Sequence, residues 1–266
     1  MASPALPDEL LLALEGTSLK LREAGDAVEV TGGTGLQARK AMLTASSVRE
    51  ALDGATLDRS AAAGLARGLQ AVLTEPARSK GADLDFTTAS ASLLLSIEHP
   101  LFAAGCTLAG GEAPYTQPLG SDLLLTFHIE LDQGYRVVPQ SQVERWDVHP
   151  ERIYRAALSV LFYRSGYGEA EPVEGCPGVT AWRMGDGFDA ARILVLDAVD
   201  WHRARKGLHV ACPSPDVALV ADSDDAAAVE ALTRLVHDRH ESAQHPLSPA
   251  VHRYEKAKFV PASAAG

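Results

Sequence analysis

The sequence predicts an α+β fold, in which a mixed, mostly antiparallel sheet is packed by helices and the N-terminal half is rich in helix. In the stretch LLLTFHIEL, residues 123–131, apolar and polar side chains alternate, as in a strand with one buried face. Leu65, Leu69 and Val72 recur at helical spacing. Short turns, such as Asp-Gln-Gly at 132–134, separate the elements and favour antiparallel neighbours.

The first half is predicted to begin with a hairpin and to continue with helices. In SLKLREAGDAVEVTG, residues 18–32, two alternating runs flank an Ala-Gly-Asp turn, which is typical of a β-hairpin. Ser47 and Glu50 have the spacing of a capping box, so a helix is expected to begin there. A further helix is predicted over residues 87–98.

The second half is predicted to alternate strands and helices. After the Asp-Gln-Gly turn the chain returns in a second strand, and Pro150 opens a helix where its missing N–H is not needed. Further strands are expected near 178–183 and in the stretches LHVACP and DVALVAD. A helix over about 224–240, capped by Ser223 or Asp224, follows them.

A Gly- and Pro-rich stretch, AGGEAPYTQPLG at 109–120, predicts a linker or long loop between two parts of the chain. Residues 1–118 would then hold the N-terminal hairpin plus helices, which could form a subdomain. Residues 119–266 would hold an α+β domain. Both parts carry apolar periodicity, so we expect each of them to contribute to a core.

Composition and charge restrict the classes of function. Hydrophobic residues make up 46% of the 266 residues, which is ordinary for a chain with a packed core. No stretch approaches about 18 consecutive apolar residues, so no membrane span is expected. The net charge of −11 is spread over both halves. Such an acidic surface repels phosphate backbones, which disfavours nucleic acid as a partner.

The three cysteines, Cys106, Cys176 and Cys212, are far apart and form no CxxC pair. This pattern predicts neither a disulfide framework nor a structural zinc site, and it favours a reducing, cytoplasmic location. We interpret Cys106, in AAGCTLAGG, as a buried and inert thiol; the alternative is a nucleophile beside a Gly-rich loop. No cofactor is expected.

The second half resembles the DUF1444 family of uncharacterised bacterial proteins, also called YtpQ or UPF0354, over roughly residues 120–258. The matching stretches are the strand that ends at Asp132, RVVPQSQVERWDVHPERIYRAAL, GDGFDAARILVLD, GLHVACPSPDVALVAD and HPLSPAVHRY. The sequence departs from the family where Ser159-Val160 replaces an expected Asn-Leu pair. The family has no established reaction, so the resemblance implies a fold more than a function.

The stretch MGDGFDAARILVLDAVDW, residues 184–201, raises the question whether its carboxylates form a site. The four aspartates of this stretch are Asp186, Asp189, Asp197 and Asp200. The resemblance implies a strand, a Gly-rich turn and a helix beginning near residue 189, so Asp189 would cap that helix. Asp186 would lie in the turn, and Asp197 and Asp200 would share an exposed helix face. The alternative is a small-molecule or metal site in which Asp186 and Asp189 converge with Arg192.

A group of histidines late in the chain offers a weaker metal site. In VHDRHESAQH, His237 and His240 are three residues apart and would be neighbours on a helix, with His245 as a third ligand. We favour the simpler interpretation that these residues belong to a helix C-terminus and to a core or interface.

Three functions are compatible with these patterns. We first expect a cytosolic, non-catalytic protein that acts through a protein partner in an accessory, regulatory or protective role; an exposed apolar patch would favour it. The alternative is a small-ligand-binding protein or enzyme that uses Asp186, Asp189 and Arg192 with His209 or His128. A deep pocket with converging polar groups and shifted pKa values would favour that alternative. A metal-binding protein is the third.

Overall fold

The computed structural model describes residues 6–33, 38–75, 84–120, 122–166, 168–255 and 258–261. From the N-terminus the first elements are α1 (Asp8–Glu15), β1 (Lys20–Ala24), β2 (Ala27–Gly32), β3 (Arg39–Thr44), α2 (Ala45–Leu52), α3 (Arg59–Leu73), α4 (Phe86–Ser90), β4 (Leu93–Glu98), α5 (Phe102–Leu108) and β5 (Thr116–Leu119). They are followed by β6 (Leu123–Leu131), β7 (Gly134–Val137), α6 (Gln140–Trp146), α7 (Pro150–Ser165), β8 (Glu171–Pro172), β9 (Val179–Trp182), a 3₁₀ helix (Ala190–Val195), α8 (Leu196–Val199), α9 (Trp201–Ala204), β10 (Leu208–Ser214), β11 (Val217–Asp222), α10 (Ala226–Ser242), β12 (His252–Glu255) and β13 (Lys258–Pro261).

These elements form the predicted α+β fold, with three antiparallel sheets packed by helices. The N-terminal sheet has the order β1-β2-β3, and its first two strands are the predicted hairpin. Gly25, with φ of 71°, supplies the left-handed turn residue between them. The following helix is capped one turn earlier than predicted, because Thr44 and Ser47 exchange side-chain and backbone hydrogen bonds.

The prediction of a helix over residues 87–98 is wrong. The chain there forms the short helix α4 and then the strand β4, whose six residues are all buried. This strand pairs along its whole length with β6, from Leu93 opposite Ile129 to Glu98 opposite Leu124. Long-range pairing of a fully buried apolar run therefore outweighs its local helical spacing.

A second sheet forms around β6, with β4 on one side and β5 and β7 on the other. The predicted linker at 109–120 therefore contains a strand, since β5 pairs with β6 from Thr116 opposite Thr126. The predicted division at residue 118 falls inside this sheet, because it cuts β5, with β4 before it and β6 after it. The predicted turn at 132–134 is confirmed, since it joins β6 to β7.

The C-terminal sheet has the order β13-β12-β10-β11-β9-β8. One of its faces is covered by α10, where Leu219 packs with Leu232 in a small apolar cluster. The cap of α10 is Asp225, which accepts the backbone N–H of Ala228, and neither predicted residue, Ser223 nor Asp224, fills that role.

The largest apolar core lies between the second and C-terminal sheets. It includes Phe127 from β6, Ile153 from α7 and Ile193 from the 3₁₀ helix, all of them fully buried. Pro150 is the first residue of α7, as predicted. A separate core, which includes Leu43 and Leu69, joins the N-terminal sheet to α1 and α3. None of the described helices is both long and apolar enough to span a bilayer.

Candidate ligand-binding site

A cavity of about 340 Å³ lies where α3 and α5 meet the sheet of β4, β6 and β7. The wall from α3 contributes Arg67, and the sheet contributes Ser96, Glu98 and His128. The loop after β9 adds Asp186. The cavity thus gathers polar side chains from three separate parts of the chain into the space between the two larger apolar cores.

The most deeply buried charge of the cavity is the carboxylate of Glu98, whose side chain has no exposed surface. Arg67 holds it with two parallel hydrogen bonds, from Nε at 2.8 Å and from Nη2 at 2.6 Å. Burial by itself would lower the pKa of the Arg67 guanidinium, but the charge of Glu98 and its hydrogen bonds raise that pKa. The two residues therefore form a bidentate ion pair.

A hydrogen-bonded network extends from this pair along the polar face of the sheet. Ser96 Oγ lies 3.2 Å from Oε1 of Glu98, 2.6 Å from Thr126 Oγ1 and 2.8 Å from His128 Nε2. Thr126 Oγ1 is also 3.0 Å from His128 Nε2. All four residues are buried, so their polar atoms depend on one another for partners.

One arrangement of protons satisfies this network. His128 donates from Nε2 to Thr126, the threonine hydroxyl donates to Ser96, and Ser96 donates to the carboxylate of Glu98. Burial lowers the pKa of the His128 imidazole to about 4. The imidazole is consequently neutral at pH 7, and its Nδ1 atom is then an acceptor.

The pH dependence of stability should report this buried imidazole. Below pH 6.5 an unfolded His128 binds a proton, whereas the folded one does not until pH falls to about 4. Between these pH values the unfolded state binds more protons than the folded state. The free energy of unfolding should therefore fall as pH falls. The shift corresponds to roughly 3 kcal/mol.

This expectation is tested by urea denaturation of the wild type and of His128→Gln between pH 7 and pH 4. Glutamine retains hydrogen-bonding capacity but does not titrate, so the stability difference between the two proteins should change over this range. Parallel curves would show that His128 is protonated equally in both states.

Aromatic rings line the cavity beside the polar network. The ring of His128 lies 6.4 Å from that of Phe102 and 6.1 Å from that of Phe188, both edge to face. Phe188 is in turn 5.1 Å from Tyr135, which lies at the mouth of the cavity. These edge-to-face contacts fix the ring positions and leave an apolar surface opposite the charged groups.

The turn that carries Phe188 is held by a buried arginine. Arg192, with no exposed surface, donates to both oxygens of Asp186 at 2.9 and 2.8 Å and to Asp189 at 2.7 Å. The Arg192 interactions lower the pKa of Asp186, although burial acts in the opposite direction. For Asp189, burial is the larger effect and raises the pKa of its carboxyl.

The structure therefore brings together three of the predicted site residues, Asp186, Asp189 and Arg192. The predicted helix cap is wrong, because the Asp189 carboxylate accepts the backbone N–H groups of Met184 and Gly185, which precede it. The predicted continuous helix is also absent. A 3₁₀ helix and two four-residue helices follow, so Asp197 and Asp200 do not share one helix face.

His209 lies away from this group, on the opposite face of the C-terminal sheet. Its neighbours in β10, Leu208 and Val210, point into the large core, so His209 points toward the side of α10. There its Nδ1 lies 3.1 Å from Ser223 Oγ. Of the two histidines proposed for the site, only His128 lines the cavity.

The three late histidines have separate environments. His237 is exposed and lies 3.2 Å from Glu241, while His240 Nε2 lies 2.7 Å from Ser60 Oγ. His245 is half-buried beyond the end of α10, and burial lowers the pKa of its imidazole. Within the described ranges no three His, Cys, Asp or Glu side chains are grouped so that they could hold a metal ion.

A second cavity of about 400 Å³ adjoins the first and shares Ala71 and Val137 with it. One of its charges, Arg39, already donates to Glu75 at 2.7 Å. Cys106 also lies at this cavity, but it is 1% exposed and burial raises the pKa of its thiol. The interpretation of Cys106 as a buried thiol is therefore confirmed.

Sequence reasoning missed Arg67, Ser96, Glu98 and Thr126. The signal for two of them was present, because Ser96 and Glu98 are the polar members of the alternating end of β4, LLLSIE. The helix predicted for this segment concealed that alternation. Arg67 had no signal of its own, since it is an ordinary polar position on an amphipathic helix.

Comparison of the chain with protein-family models, with curated proteins and with solved structures finds no match. The resemblance to the DUF1444 family therefore stays a prediction.

Proposed function

We propose that this protein binds a small molecule in the cavity between its two larger cores. The observation that carries the proposal is the hydrogen-bonded network of Arg67, Glu98, Ser96, Thr126 and His128, of which all but Thr126 line that cavity. An apolar filling of the same space would usually be at least as stable. Buried polar groups around an open cavity are the arrangement that fixes a ligand's orientation.

The size and lining of the cavity suit a small ligand with both polar and apolar parts. Ligand cavities commonly measure about 300–1,000 Å³, so this one is at the lower end of the range. The rings of Phe102 and Phe188 offer an apolar surface, and the network offers hydrogen bonds.

We favour binding over catalysis for the Ser96–His128 pair. Their separation of 2.8 Å is that of a nucleophile and its base. However, Ser96 is only 3% exposed and its hydroxyl group has three polar neighbours, which suits a structural part of a binding wall better than attack on a substrate.

The predicted protein-partner role remains an alternative proposal. The cytoplasmic location, which rests on cysteine usage, and the absence of nucleic-acid binding, which rests on acidity, are also proposals. Apart from the neighbours Phe162 and Tyr163 on α7, the exposed large apolar side chains among the described residues lie on different elements, such as Leu12 on α1 and Met42 on β3. That distribution gives the partner role less support than the cavity gives to ligand binding.

A cavity-filling substitution tests the proposal. The protein is incubated with the low-molecular-mass fraction of an extract from its own host, and native mass spectra of the intact chain are recorded. Wild type should carry an added small mass, and Gln70→Phe, at a wall of this cavity that the second cavity does not share, should lose it. Ala227→Phe, at an exposed position of α10, should keep it.

These spectra can also contradict the proposal. An added mass of equal abundance in all three proteins would place the ligand elsewhere. Absence of any added mass in the wild type would remove the support for a resident small molecule.

A further inference from the structure

Two opposite charges face the cavity, and each is backed by a buried counter-ion. The side chain of Arg67 is 23% exposed and is backed by Glu98, which is 0% exposed. The side chain of Asp186 is 25% exposed and is backed by Arg192, which is also 0% exposed. The backing ions fix the positions of these charges, so little reorganisation is required when a ligand binds.

Both exposed groups retain hydrogen-bonding capacity for a ligand. Arg67 donates to Glu98 from Nε and Nη2, and within the described part of the chain no group accepts from its Nη1. Oδ1 of Asp186 accepts from Arg192 and from the backbone N–H of Phe188, whereas among the described residues Oδ2 accepts from Arg192 alone and keeps a lone-pair site. The cavity therefore offers a cationic donor on one wall and an anionic acceptor on another.

We propose that the ligand is a small zwitterion of the amino-acid class. Its acid group would bind to Arg67 and its ammonium group to Asp186, and its side chain would lie against Phe102 and Phe188. This inference rests on the proposed function, because it assigns a ligand class to the same cavity.

A ligand with a single charge fits this arrangement less well. An anion bound to Arg67 would also face the carboxylate of Asp186, and a cation bound to Asp186 would face the guanidinium of Arg67. Like charges within a cavity of this size repel each other. A molecule that carries both charges avoids this cost.

The first experiment is a thermal-shift screen of the wild-type protein with the standard L-amino acids, followed by calorimetry on those that bind. Each binder is compared with its amine-only and acid-only analogues; for L-phenylalanine these are phenethylamine and 3-phenylpropanoate. We expect each analogue to bind at least about tenfold more weakly, the effect of losing one charge-assisted hydrogen bond.

Two variants assign the charges to their partners. Asp186→Asn should weaken binding of the amino acid at least about tenfold, whereas binding of the acid-only analogue should strengthen because the repulsion from Asp186 is removed. Asp200→Asn is the matched control, since Asp200 also pairs with an arginine and its side chain is 22% exposed. The double variant Arg67→Gln, Glu98→Gln retains polar side chains without either charge. In this variant the amino acid should no longer bind more tightly than its amine-only analogue.

The results separate this inference from the proposed function. If no standard L-amino acid binds but the wild type carries an added mass that Gln70→Phe lacks, the ligand is of another class and the binding function stands. If an amino acid binds equally well to Asp186→Asn, the charge assignment is overturned. Absence of both the added mass and amino-acid binding would overturn both proposals.

Discussion

Replacing Arg67 with alanine is expected to destabilise the fold by about 3–5 kcal/mol, the usual result of removing one partner of a buried ion pair. The reason is the position of Glu98, whose side chain has no exposed surface and whose carboxylate receives both of its short N–H hydrogen bonds from Arg67. Without Arg67, that carboxylate must either remain charged without a counter-ion or take up a proton.

Urea denaturation at pH 7 measures this effect, and two other variants identify its cause. The double variant Arg67→Met, Glu98→Met removes both charges and should recover most of the lost stability. Arg234→Ala removes an exposed pair with Glu230, so the free energy of unfolding should change by less than about 1 kcal/mol. If the double variant were as unstable as Arg67→Ala, lost packing and not the orphaned charge would be responsible.

The sequence was informative about elements that pair locally. The hairpin of β1 and β2 and the turn between β6 and β7 follow from alternation on both sides of a Gly-containing turn. Pro150 likewise marks the start of α7, since its ring has the dihedral angle of a first helical residue. In these cases the residues that determine the structure are neighbours in the chain.

Prediction failed where the partner of a segment is distant. The buried run of β4 is short, and a short apolar run cannot be assigned to helix or strand by periodicity alone. Its pairing with β6, about thirty residues later, decides the matter. The same pairing places Ser96 opposite Thr126, so the error in secondary structure also hid the polar network.

In the candidate site, too, contacts between neighbours in the chain were predicted and contacts between distant residues were not. Asp186, Asp189 and Arg192 lie within seven residues, and the sequence was sufficient to propose that they converge. A Gly-rich turn was predicted here, and Gly185 and Gly187 both have positive φ, but the sequence did not indicate that Asp189 would accept the backbone N–H groups of Met184 and Gly185. Arg67 and Glu98 are 31 residues apart on different elements, so only the tertiary structure shows their pairing.

The second large effect is expected at Gly68, where α3 crosses α5. A Cβ atom at this position would lie 2.1 Å from the carbonyl oxygen of Phe102 and 2.7 Å from the backbone nitrogen of Cys106. Both atoms belong to the main chain, so no side-chain rotation can relieve the contact and the two helices must separate. Gly68→Ala should therefore lose about 2–3 kcal/mol of stability, near the upper end of the usual cost of overpacking.

The sign of the stability change distinguishes overpacking from helix propensity, because alanine in a helix interior is more stable than glycine by about 1 kcal/mol. Helix propensity alone would make Gly68→Ala more stable than wild type in urea denaturation. Gly16→Ala is the matched control, since φ there is −70° and the nearest atom is Cγ of the Gln244 side chain, at 3.3 Å. Arg67 is next to Gly68, so separation of the helices should also move one wall of the cavity and reduce ligand binding. A Gly68→Ala protein with wild-type stability would mean that α3 and α5 do not approach as closely as described.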